Sequence, residues 1–284
     1  MLHPDDFNYL SQLLKDRSGL ALTPDKAYLI TTRLKPLLEQ HGIRDVSAMV
    51  RDMKAGRLRA LVDEVVDLMT TNESLFFRDT KPFEALIQTM LPAIAAARGP
   101  GRPIRIWCAA ASTGQEPYSI AMLLEENAMR FGRRDITILG TDLSNAALGR
   151  ARAGEYTAFE VGRGIPPDML AKYFTKGPNN HHIVADRIRS RVTYKPRNLL
   201  DEFTSLGQFD IIFCRNVLIY FDRPTKADVL NRMARVLASD GYLVLGGPET
   251  TLGLSDSFER HPDWRNVYIR TKETLGQTLD GLCA

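Results

Sequence analysis

Apolar residues recur at helical spacing over the first part of the chain. Phe7, Leu10, Leu13 and Leu14 form one stripe, and Leu29, Ile30, Leu34, Leu37 and Leu38 form a second. Asp5 and Asp6 are placed to cap the first helix, and Ser18-Gly19 to stop it. Thr23 is an N-cap candidate with Pro24 at the first helical position, and Gly42 is the stop for the second helix. Pro36 lies inside that second stripe and predicts a kink, because it lacks a donor and crowds the preceding turn. Two more helical patterns follow, over 46–54 and 58–69, so residues 1–70 read as an all-helical domain.

The period changes after about residue 80. A helical pattern over 83–97 ends at Gly99-Pro100-Gly101. Short apolar strands are predicted over 104–108, 136–140, 192–195, 209–214 and 242–245. Helices are predicted over 116–131, from Ser144, and over 224–237. Strands alternating with helices indicate a doubly wound, mostly parallel sheet. Residues 154–190 interrupt the alternation and are too long for a plain connection, so they read as a small inserted subdomain. Residues 264–270 predict a late edge strand, and the tail after Thr271 is weakly patterned.

Composition narrows the class. The 284 residues are 44% hydrophobic and 25% charged, as in ordinary globular proteins. No apolar run reaches the ~18–20 residues of a membrane span. The opening Met1-Leu2-His3-Pro4-Asp5-Asp6 has no basic or apolar leader pattern, so a secretory signal is not expected. A net charge of +3 does not point to nucleic acid. Cys108, Cys214 and Cys283 are odd in number and widely spaced, which suits a reducing compartment. Cys108 and Cys214 read as buried small hydrophobes, and His181-His182 as part of a solvated loop. No metal-ligand spacing is present, so no metal is expected.

Ligands of an open parallel sheet bind beyond the carboxyl ends of its strands. The first strand runs into Cys108-Ala109-Ala110-Ala111-Ser112-Thr113-Gly114-Gln115-Glu116-Pro117, small residues leading to a helix N-terminus. The second ends in Thr141-Asp142, a carboxylate suited to a ribose diol. The loop lacks both G-x-G-x-x-G and a phosphate-binding lysine, which argues against dinucleotides and nucleoside triphosphates. S-adenosylmethionine, which has no phosphate, suits it better. The loop alone also allows a tight turn with no ligand.

Four longer blocks go further. Thr70-Thr71-Asn72-Glu73-Ser74-Leu75-Phe76-Phe77-Arg78, the segment from Trp107 to Met122, Gly140-Thr141-Asp142-Leu143-Ser144 and the segment from Phe209 to Phe221 resemble signatures of the chemotaxis protein methyltransferase (CheR) family. The resemblance spans about residues 5–270. Ser74 departs from the family's frequent threonine but keeps the hydroxyl. The resemblance implies an N-terminal helical domain joined to a Rossmann-like class I methyltransferase domain with an inserted β-subdomain. The corresponding division is 1–70, a linker and start of the catalytic domain over 71–90, and 91–284 with the insert at about 154–190.

It also implies a cytoplasmic protein-glutamate O-methyltransferase of sensory adaptation. The methyl donor would be S-adenosylmethionine, leaving S-adenosylhomocysteine, and the partners would be the cytoplasmic helices of chemoreceptors. A monomer with no nucleic acid and no membrane insertion is expected. Matching motif positions assigns the cofactor to Asn72, Ser74, Arg78, Glu116, Asp142, Asn198, Leu199, Asn216 and Val217. In this assignment Asp142 holds the ribose, Asn198-Leu199 address the adenine, and Asn216-Val217 lie beside the methionine portion. Arg78 and Tyr220 are the candidate catalytic residues, orienting the acceptor, and Tyr118 is a candidate pocket wall.

Plainer readings stand beside these. Asn216 can cap a turn, Arg78 can be a linker surface residue, and Phe76-Phe77 can be packing that joins the two domains. The alternative function is a non-catalytic S-adenosylmethionine-binding signalling module. Lys26, Arg33, Lys35, Arg51, Lys54, Arg57 and Arg59 are candidate docking cations, with Arg33 and Arg57 the two singled out for receptor binding.

Overall fold

Leu10, Leu14, Ile30, Leu34, Met49, Val65 and Met69 bury against one another and make the first of three cores. They come from helices α1 (Pro4–Ser18), α2 (Ala27–Gln40), α3 (Val46–Lys54) and α4 (Val62–Met69). The computed structural model describes residues 2–99, 101–131 and 134–271. The cap of α1 is His3, whose Nδ1 accepts from Asp5 N, with Pro4 opening the helix; Asp5 and Asp6 sit in the first turn instead of capping it. Gly19 ends α1 in the left-handed region, as expected. Thr23-Pro24 open a short 3₁₀ turn that leads into α2. The helix then runs unbroken through Pro36. Asp45 caps α3 through the Ala48 amide at 2.7 Å.

The expected 83–97 helix is α5 (Lys81–Ala85), a π-helical turn (Leu86–Met90) and α6 (Leu91–Arg98) in continuous succession. Leu91 N bonds to Leu86 O, and Pro92 follows directly. The wider turn accommodates a residue that lacks a donor and crowds the carbonyl four positions back. Strand β1 (Ile104–Ala109) leads to α7 (Gln115–Glu126) and the short α8 (Ala128–Phe131). The expected single helix breaks at Asn127, whose side-chain amide donates to Leu123 O. Strand β2 (Ile136–Asp142) is followed by α9 (Asn145–Ala153), capped by Ser144, where the sequence expectation started the helix.

The inserted stretch folds as β3 (Glu155–Tyr156), α10 (Ala158–Gly162), α11 (Pro167–Tyr173), β4 (Phe174–Lys176), β5 (His182–Val184) and α12 (Asp186–Arg189). Its strands form a separate antiparallel sheet in the order β3-β5-β4. His182 therefore lies in a strand, and His181 pairs with Glu155 at 2.7 Å, in place of the expected solvated loop. The chain returns through β6 (Val192–Pro196), β7 (Phe209–Cys214), α13 (Arg223–Val236), β8 (Leu237–Leu245), β9 (Phe258–Arg260) and β10 (Val267–Arg270).

The main sheet has seven strands in the order β6-β2-β1-β7-β8-β10-β9. β6, β2, β1, β7 and β8 are mutually parallel, and β10 pairs antiparallel to both neighbours. This is the Rossmann-like, doubly wound arrangement. The expected late edge strand is β10, but it lies inside the sheet; the edge is β9, three residues too short to show a period. Both faces are covered, so side chains alternate between two cores. Ile104, Ile106 and Cys108 of β1 face one, and Trp107 and Ala109 face the other. Phe76 packs edge-on against Tyr156 and Phe174, so it ties the linker to the inserted unit, not to the helical domain. The tail after Thr271 and Cys283 lie outside the described residues.

Candidate active site

The strand order reverses between β1 and β7, which opens a crevice at their carboxyl ends. A cavity partly open to solvent lies at that place. Asn72, Ser74, Arg78, Glu116, Asp142, Asn198, Leu199, Asn216, Val217 and Tyr220 all line it. Every site residue assigned from the sequence is thus brought to one cavity, while Tyr118 is not. Its ring is fully buried below, with its hydroxyl donating to Ala151 O at 2.6 Å.

The turn after β1 is held in an unusual shape. Ala110 and Ser112 have φ of 65° and 51°, and Gly114 has φ of 98°. At Gly114 a side chain is excluded twice, by φ and by the Tyr194 hydroxyl 2.8 Å from where a Cβ would sit. Ser112 N donates to Asp142 Oδ2 at 2.7 Å, and Ser144 N to Asp142 Oδ1 at 2.9 Å. Burial pushes the Asp142 carboxyl up, and these two amides pull it partly back. Ser112 Oγ donates to Asn72 O at 2.9 Å, which joins the turn to the linker segment.

Glu116 lies in the first turn of α7, with a side chain only 12% exposed. Desolvation raises its carboxyl, opposed by the Arg215 guanidinium at 2.7 Å. Arg215 is 2% exposed in its side chain and also holds Asp79 Oδ2 and Arg78 O, each at 2.8 Å. It therefore clamps the linker segment to the start of α7. Asn216 follows in the left-handed region, with φ of 59°. Glu249 holds it there: one carboxylate oxygen accepts from Asn216 N at 2.8 Å and Gly246 N at 2.7 Å, the other from Val217 N at 3.0 Å and Ile219 N at 3.3 Å.

Arg215 and Glu249 are functional residues that sequence reading missed. Arg215 carried a signal, a charged residue directly after the apolar run Ile211-Ile212-Phe213-Cys214. Glu249 carried none, since it acts from 33 residues away. The helical domain closes the cavity with Ser18 and Leu20. Ala21 N donates to Tyr220 O at 2.9 Å, and Asn198 Nδ2 to Arg17 O at 2.6 Å. The Asn198 side chain, expected to address the adenine, is thus engaged with the helical domain. Arg33 donates to Met69 O at 2.6 Å and Thr71 Oγ1 at 3.0 Å, and Arg57 pairs with Asp52. Arg33, one of the candidate docking cations, is thus a latch on the linker.

Hydroxyl, carboxylate and amide groups make up most of the cavity's polar lining. Its cations are Arg78, Arg197 and Arg215, and no lysine lines it. Among the described residues no group of histidine, cysteine or carboxylate side chains is arranged to hold a metal, and no helix is long and apolar enough to cross a membrane. Two family models match: the CheR methyltransferase all-alpha domain over residues 5–70, and the CheR methyltransferase SAM binding domain over residues 72–265. A chemotaxis protein methyltransferase of Vibrio parahaemolyticus is 43% identical over 256 residues, covering 89% of this chain and 92% of its own. Chemotaxis protein methyltransferase 1 of Pseudomonas aeruginosa is 44% identical over 258 residues, covering 89% and 93%. The chemotaxis protein methyltransferase of Escherichia coli is 34% identical over 271 residues, covering 94% and 91%.

Proposed function

Because the chain belongs to the CheR methyltransferase family, we propose that it methylates glutamate side chains on the cytoplasmic helices of chemoreceptors, using S-adenosylmethionine. The products are glutamate methyl esters and S-adenosylhomocysteine, and the setting is the cytoplasm. The observation that carries the reading is the convergence of Asn72, Arg78, Glu116, Asp142, Asn216 and Tyr220 on one cavity. The same reading divides the chain into a helical domain over 1–70, a linker over 71–90 and a methyltransferase domain beyond, with its insert at about 154–190.

The residues present suit the donor. Glu116 and Asp142 give enclosed carboxylates for an ammonium and a ribose diol, and the turn at 110–114 offers no phosphate cradle. When bound, S-adenosylmethionine supplies a methyl group activated by a positively charged sulfur. The acceptor glutamate has a reference pKa near 4.3, so it arrives ionised and needs no base from this chain. What the chain contributes is alignment and exclusion of water. Arg78 and Tyr220, both on the cavity lining, are the residues we assign to orienting the acceptor. Arg215 does not compete for it, because Glu116 and Asp79 already neutralise its guanidinium. The non-catalytic alternative is not favoured, since the relatives that match most of the chain are named as methyltransferases.

The test uses the full chain, methyl-labelled S-adenosylmethionine and membranes carrying a chemoreceptor. Label should enter the receptor and leave as methanol in mild alkali, the behaviour of a carboxyl ester. Alkali-stable label, or none, would overturn the assignment to glutamate.

A further inference from the structure

The inserted sheet stands apart from the main sheet in its hydrogen bonding, yet it grips two walls of the cavity. Tyr156 of β3 is only 1% exposed. Its hydroxyl leaves the inserted unit and donates to Thr113 O at 2.6 Å, inside the turn that follows β1. That turn carries the Ser112 amide bound to Asp142, and Glu116 lies in the first turn of the next helix. The same ring meets Phe76 edge-on, with centroids 4.9 Å apart, and Phe76 belongs to the linker segment that supplies Asn72, Ser74 and Arg78. From the other side, Gly164 backs onto the Phe76 carbonyl so closely that a Cβ would sit 2.1 Å from it. Arg163 reaches Glu73 at the cavity rim, 3.9 Å away.

The geometry points to Tyr156 as a positioning residue for the cofactor: its hydroxyl fixes the Thr113 peptide, and its ring fixes Phe76, so the inserted sheet sets the spacing of the two walls. The turn needs such a brace because Ala110 and Ser112 hold left-handed backbone, which is strained at a non-glycine residue and persists only where surroundings enforce it. Thr113 O is the one carbonyl of that turn bound from the insert, and its partner is a phenol that phenylalanine removes without changing the ring. Tyr156 touches no reacting atom in this arrangement; it acts through Ser112, Glu116 and the linker.

The inference rests on the cavity being the S-adenosylmethionine site, so wild-type titration with S-adenosylhomocysteine comes first and tests that reading by itself. Tyr156→Phe is then compared with Tyr173→Phe, well below the melting temperature of each. Tyr173 is a second buried tyrosine of the insert, and it bonds Glu126 away from the cavity. Tyr156→Phe should weaken S-adenosylhomocysteine binding about 3–10-fold, as for loss of one ordinary hydrogen bond in the bound state. The KM for S-adenosylmethionine should rise in parallel, while the KM for receptor stays put. Tyr173→Phe should lose a similar amount of thermal stability and keep wild-type affinity. Wild-type affinity in Tyr156→Phe, or equal weakening in both variants, would overturn the assignment and leave Tyr156 as core packing.

Discussion

Glu116 and Asp142 share a predicament: each is a carboxylate largely withdrawn from water, and each carboxyl is pushed above its ordinary range by burial. Between the ordinary range, near 4, and their raised values, the folded chain keeps protons that the unfolded chain has released. Stability of the ligand-free protein should therefore fall as pH rises through that window. Ligand affinity runs the other way, because an ammonium or a diol prefers the ionised carboxylate. S-adenosylhomocysteine binding should be level near neutral pH and weaken on acidification, starting above the pH at which an exposed carboxylate would protonate. Glu116→Gln should cost about 1.5–3 kcal/mol of binding, the range for a hydrogen bond to a charged group, and flatten the acid limb. Calorimetric titration between pH 4 and 8 checks both; an unchanged limb would mean that Glu116 does not meet the ligand.

The elements legible in the sequence were those with a period long enough to read. The run Phe209–Cys214 is apolar apart from Asp210 because both faces of β7 are covered, and its bounds match the expectation. Val46–Lys54 likewise matches its expected bounds and buries Met49, Val50 and Met53. Two-residue β3 and three-residue β9 have no period, and each exists through its pairing, β3 with β5 and β9 with β10. All ten assigned site residues reached the cavity because they lie at or just beyond the carboxyl ends of β1, β2, β6 and β7 or in the linker segment that borders them. Their supports did not show, because support is tertiary. Glu249 is the clearest case. Glu249→Gln would turn one acceptor oxygen into a donor facing two amides, so a loss of about 2–5 kcal/mol is expected from two lost bonds to a charged group. Thermal melting checks the loss. A variant as stable as wild type would mean that the Asn216 turn stands without its carboxylate.

Across the whole molecule, the helical domain acts as one wall of the cavity. Leu20 bridges Phe221 in strand fashion, Lys15 pairs with Asp222 at 2.7 Å, and Leu143 and Tyr220 pack on the helical core. Arg33 is the central fastening, since it holds the two carbonyls and the hydroxyl that lead directly into Asn72. Arg33→Ala should weaken S-adenosylhomocysteine binding about 3–10-fold and speed proteolysis at residues 69–73, whereas Arg57→Ala should change neither. If Arg33→Ala altered only the KM for receptor, the residue would belong to docking after all.

The two buried cysteines carry a consequence of another kind. Cys108 and Cys214 sit on paired strands, and burial raises both thiols well above their ordinary range, so neither offers a thiolate to a reagent in the folded state. They point to opposite sides of the sheet: Cys108 faces the core shared with α7 and the insert, and Cys214 faces the core shared with α13. In a Cys283→Ser background, the pace of alkylation at each position becomes a clock for one side of the molecule. Equal rates report opening as a single unit, and unequal rates name the side that parts first. Ligand bound only by the closed form slows both clocks by the factor that mass action sets, so the same labelled peptides weigh affinity without any methyl transfer.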